Sequence, residues 1–161
     1  MIILKTITYR TTAFLFLFFL NQRLFAQEGF IIDSVSFCSL TMAVPDTCVA
    51  KTKQSVEGKD WSVEWIYYDK GQFPSTKRPY LGFMKAVGYK VKEKKAQFLI
   101  HNKQVQGSIL KFIDDNKESY SIYVSVPVNK QIMILLLSLN HYPVDNSSLP
   151  GFAKKIIQFK Q

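Results

Sequence analysis

The chain has 161 residues, 47% of them hydrophobic, and a formal charge of +9 that comes from lysines spread along its length. That dispersion, with no arginine-rich cluster, argues against a nucleic-acid partner and is what a solubilising charge on strands and helix faces looks like. Two histidines and two cysteines without a CxxC spacing exclude a structural zinc site, and no HExxH, GxSxG, P-loop or GxGxxG is present.

Met1–Arg10 is basic, Ala13–Leu20 is an unbroken apolar core, and Leu24-Phe25-Ala26 ends in a small residue. This order describes a secretory signal peptide, residues 1–26, and residues 27–161 are then expected as one exported domain, periplasmic or secreted. Eight apolar residues are too few to span a bilayer. Loss of Lys5, Arg10 and Arg23 with the leader lowers the formal charge by three, from +9 to +6.

In the mature part, Phe30–Phe37 and Leu40–Val44 read as one or two strands, closed by a turn at Pro45-Asp46. Cys38 and Cys48 flank this region. In an oxidising compartment the two thiols are candidates for a disulfide, the alternative being two small buried residues. Trp61–Tyr68 alternates with period two and puts Trp61, Val63, Trp65 and Tyr67 on one face. Aromatic rows are more often core than ligand site, and Trp61, Trp65, Tyr67 and Tyr123 are the candidate binding surface if they are not.

After the Asp69–Pro74 loop, Ser75 or Thr76 can cap a helix over about 76–87. Tyr80, Phe83, Met84 and Val87 then form its apolar stripe, and Gly88 ends it. Tyr89–Lys95 is a charged connector or edge strand. Its lysines could meet an anionic headgroup or glycan, but on an edge they more simply discourage association. Four apolar runs, Gln97–Ile100, Gln104–Ile113, Ser119–Val126 and Gln131–Leu139, are separated by short polar turns, which predicts an antiparallel meander. Gly107 marks a bulge or a close approach. Ile132–Leu137 is apolar at every position and suits a strand covered on both faces. Leu149, Phe152, Ala153, Ile156 and Ile157 predict a second helix over about 148–159.

The expected class is therefore α+β, an antiparallel meander covered by two helices. In layout the chain resembles the PsbP/Mog1-like α/β sandwich: a strand pair ending in Met42-Ala-Val-Pro-Asp46, a strand leading into a helix, a meander, and a closing helix ending on Lys154-Lys-Ile-Ile157 after a loop with Pro150. Thr47-Cys48 stands where that group usually has Gly-Trp. The resemblance implies an accessory or binding module of the bacterial cell envelope, with an envelope protein or lipid as partner and no cofactor, metal or catalytic residue to carry over. The competing readings are a small hydrolase using His141 with Cys48 or a carboxylate, and a lipid or lipoprotein carrier.

Overall fold

A computed structural model describes residues 32–69, 77–114 and 117–160. The expected signal peptide, the helix-capping Ser75 and Thr76, and Asp115 and Asn116 between the second and third runs of the meander lie outside these residues. Among the described residues the fold is mainly β, with ten strands and one α-helix. The strands are β1 Ser34–Phe37, β2 Leu40–Ala43, β3 Val49–Thr52, β4 Ser55–Glu57, β5 Trp61–Asp69, β6 Lys90–Ile100, β7 Lys103–Asp114, β8 Lys117–Val128, β9 Gln131–Leu139 and β10 Ile157–Phe159. Helix α1 is Lys77–Ala86. β1 and β2 form a separate hairpin, and the other eight strands make one antiparallel sheet in the order β10-β6-β7-β8-β9-β5-β4-β3.

The meander is present as β6 to β9, and its turns follow from local chemistry. His101 and Asn102 both take positive φ between β6 and β7, as a two-residue hairpin whose twist matches its strands requires. The charged Tyr89–Lys95 stretch and the apolar Gln97–Ile100 run are one continuous strand. β10 pairs only with Phe98–Ile100, so the lysine-rich half of β6 remains an edge. β9 lies between β8 and β5 and pairs with both along its whole length. The short strands β3 and β4 have no counterpart in the apolar pattern, because Val49–Glu57 is mostly polar.

Register aligns side chains in rows across the sheet. On the inner face Ile109, Ile122, Leu137, Val63 and Val56 form one row through five strands, all of them buried. The β1–β2 hairpin covers part of this face with Val35 and Phe37. The C-terminal segment covers another part with Leu149, Phe152, Ala153 and Ile156. Phe152 stacks on Trp61 of β5 at 6.2 Å, and Ile157 then reaches the β6 edge.

That segment corrects the expectation of a closing helix at 148–159. Its apolar residues are buried as the periodicity requires, but the backbone makes two 3-10 turns, Asn146–Ser148 and Ala153–Lys155, and then β10. Pro150-Gly151 interrupts any continuous α-helix, and the β-branched Ile156-Ile157 gains more from hydrogen bonds to the open β6 edge than from another helical turn. Asp145 caps the first turn, accepting from the Ser147 and Ser148 amides.

α1 lies on the outer face. Gly88, at φ +102, ends it in a Schellman motif: Tyr89 N–H donates to Met84 C=O at 3.0 Å and Gly88 N–H to Lys85 C=O at 3.1 Å. The inward stripe is Lys77, Tyr80, Leu81 and Met84. Phe83 and Val87, expected in that stripe, are 42% and 52% exposed. The cause is the small footprint of the helix: it rests on Leu110, Phe112 and Tyr123, toward the β6–β8 half of the sheet, and none of its residues is fully buried.

Candidate helix–sheet cleft

Because α1 covers only part of the outer face, the rest of that face is left as a cleft beside it. Period two puts Glu64, Ile66 and Tyr68 of β5 outward, opposite the Val63–Trp65–Tyr67 side. Their neighbours on β9 are Leu136, Ile134 and Ile132. Tyr123 of β8 stands next to Leu136, and Tyr80 comes down from α1. All of these but Ile132 line a partly open cavity of about 130 Å³ that is almost entirely apolar. The hydrophobic run in β9 thus has two fates: Met133, Leu135 and Leu137 are buried on the inner face, while Ile134 and Leu136 are half-buried in the cleft.

On the other side of Tyr80 the cleft opens into a wider, more polar hollow of about 390 Å³. Its floor is a row of serines, Ser62, Ser138 and Ser121, contributed by β5, β9 and β8. Ser121 and Ser138 are 3.4 Å apart. Small side chains at this row leave space that a row of leucines would fill. Tyr80 and Met84 form the helix side, and Glu57, Asp60 and Asn140 the rim.

Two groups give the apolar part its electrostatics. Glu64 is open to solvent on one side but crowded by hydrocarbon on the other, and that burial raises its carboxyl above the usual carboxylate range. Burial also raises the Tyr80 phenol, and the charge of nearby Glu64 adds to the shift, so Tyr80 stays protonated at neutral pH. The helix is held over the sheet at its first residue by a cluster of four side chains. Lys77 pairs with Glu93, Lys95 lies 2.8 Å from the same oxygen, and the Ser108 hydroxyl donates to it at 2.7 Å. Contact with Lys77, Lys95 and Ser108 holds the Glu93 carboxyl down at about 2. Burial lowers the Lys77 ammonium and Glu93 opposes that shift.

The aromatic residues singled out from the sequence are placed mainly in the core. Trp65 is fully buried and Tyr123 nearly so, while Trp61 and Tyr67 are half-buried against the inner core cluster. The Trp65 indole donates to Ser36 C=O at 2.9 Å. The Tyr67 hydroxyl accepts from the Cys38 amide at 2.8 Å. Of the four, Tyr123 alone lines the apolar cleft. The face of β5 that lines the cleft is the one opposite to Trp61, Trp65 and Tyr67, and its signal in the sequence is Ile66 and Tyr68 alternating with the tryptophans.

Cys38 and Cys48 are free thiols, not a disulfide. Cys38 occupies the β1–β2 turn at positive φ, and burial pushes its thiol up. His141 is exposed and bound locally: Nδ1 lies 3.0 Å from Asn140 Oδ1 and Nε2 2.9 Å from Ser148 C=O. Both ring nitrogens are engaged with the loop, while Cys48 packs against the inner core and contacts Thr47, and no contact joins the two. The inner face is filled by Phe37, Trp65, Phe152 and Ile156, so the sheet–helix space that a lipid carrier would use is the cleft beside α1. Among the described residues no helix is long and apolar enough to cross a membrane, and no group of three metal-ligating side chains occurs. No family model and no curated protein sequence matches the chain.

Proposed function

We propose that this chain is an exported, non-enzymatic binding module of the bacterial cell envelope, and that it works through the cleft between α1 and the outer face of β5, β9 and β8. The observation that carries this reading is the incomplete cover of that face. Ile66 is 46% exposed and Ile134 and Leu136 are half-buried, a contiguous apolar surface beside a helix that a monomeric protein has no folding reason to leave open. The PsbP/Mog1-like layout belongs to the same reading. A hairpin ending at Pro45-Asp46, β5 leading into α1, and the meander β6–β9 follow its order, with a 3-10 and strand segment in place of the closing helix.

Affinity capture from the envelope fraction tests it, with the wild-type protein set against Ile66→Lys. Ile66 is exposed and outside the core, so the variant keeps the wild-type melting temperature. Components retained by the wild type should be lost from the variant. Equal capture by the two proteins would remove the cleft from the function.

A further inference from the structure

The apolar part of the cleft contains one ionisable acid, Glu64, and no lysine or arginine among the described residues balances it. The ion pairs of the described residues are made by Glu57, Glu93 and Glu118. Glu64 instead has Leu136 beside it on β9 and Ser55 on β4, with Tyr68, Tyr80 and Tyr123 around the same space. Glu64 keeps one side toward solvent and borders the apolar space with the other, so a cation whose hydrocarbon part fills the cleft brings its charge against the carboxylate. Phenol rings next to it add an environment that favours cations, through the negative potential of their faces.

Two features limit the class of cation. A single carboxylate cannot supply the oxygen ligands that calcium or magnesium demands. The walls beside it are aliphatic, so the matching ligand carries its charge on a hydrocarbon surface rather than on a water shell. Size limits it further. The apolar part, about 130 Å³, is close to a cavity that holds a benzene-sized molecule, which fits a head group of a few heavy atoms.

The geometry points to a small organic ammonium ion, an alkylated amine of the trimethylammonium type, as the ligand of this cleft, with Glu64 as its counter-ion and Tyr68, Tyr80 and Tyr123 around it. This rests on the reading of the cleft as the binding site and names the chemistry it selects. Glu64 is the specificity-determining residue: without its charge the cleft would accept a neutral group of the same shape equally well.

The test is a titration of the isotope-labelled protein with choline chloride, followed by backbone amide shifts. 3,3-Dimethylbutanol serves as the uncharged isostere and sodium chloride as the ionic-strength control. Choline should produce saturable shifts at Glu64, Ile66 and Leu136, the isostere should bind about tenfold more weakly, and Glu64→Gln should reduce choline binding by about the same factor. The isostere comparison uses the unaltered protein and so does not depend on the variant folding. Equal binding of choline and the isostere would overturn the ammonium ligand while leaving an apolar cleft. Absence of any saturable shift would overturn it as well, and the Ile66→Lys capture experiment would then decide the cleft on its own.

Discussion

The Phe37 ring meets the Trp65 indole edge-on, with centroids 5.3 Å apart and planes at 87°. Through this pair the β1–β2 hairpin, which shares no ladder with the large sheet, becomes part of its core. The indole N–H adds a hydrogen bond to Ser36 C=O. Phe37→Ala should therefore cost about 3–5 kcal/mol, the usual range for emptying a buried aromatic site. Trp65→Phe, which removes the hydrogen bond to the Ser36 carbonyl, should cost about 0.5–1.5 kcal/mol from that term alone. Urea denaturation measures both. A loss below about 1 kcal/mol for Phe37→Ala would mean that the hairpin is not a structural part of the core.

Glu93 makes the stability sensitive to acid. Its folded carboxyl titrates at about 2 against an ordinary value of 4.5, because Lys77, Lys95 and Ser108 hold the ionised form. A depressed acid stabilises the fold fully above its unfolded value, and that contribution disappears as pH falls from 4.5 toward 2. The site is partly open to solvent, so screening limits the effect to about 1 kcal/mol. Melting temperatures between pH 2 and 6 should show a steeper acid limb for wild type than for Glu93→Gln. Identical limbs would disconnect the cluster from stability.

Gly107 sits in an unbroken register between β6 and β8, so it marks close packing and not a bulge. A Cβ there would lie 2.7 Å from Val124 Cγ2 and 2.9 Å from Phe98 Cδ2, both on buried residues. Gly107→Ala should destabilise by about 1–3 kcal/mol, as overpacking does. A stabilised variant would show that the strand has room to move. Equilibrium unfolding in denaturant separates these outcomes.

Adjacent leucines of β9 should respond in opposite ways to charge. Leu135 is fully buried between Val124 and Trp65, and Leu135→Lys should prevent cooperative folding because the ammonium finds no partner there. Leu136 is half-buried in the cleft, and its lysine can reach water or Glu64. Leu136→Lys should fold and should interfere with any ligand of the cleft. Circular dichroism melts of the two variants decide this. Loss of folding in both would mean that the outer face is as closed as the inner one.

The apolar run Ile132–Leu137 shows how far the sequence could be read. Six large hydrophobes in a row identify a strand flanked by partners and apolar on both faces, and its place between β8 and β5 agrees with that. The pattern treats all six residues alike. Whether each face is covered depends on how far another element extends over it, and ten residues of α1 are too few to roof the outer face. Trp61–Tyr68 shows the same limit, since alternation divides the strand into two faces without saying which becomes core.

By itself the sequence determined the strands of the meander, the short helix before Gly88, and the burial of Leu149, Phe152, Ala153, Ile156 and Ile157, because hydrophobic period and turn chemistry are local properties. Only the tertiary structure decided that the last of these residues form an edge strand, since the open hydrogen bonds of β6 lie far away in the chain. It alone decided, too, that Glu64 faces Tyr80 and Tyr123 across a partly roofed sheet. That relation depends on register and on helix reach, and neither is written in any local stretch of residues.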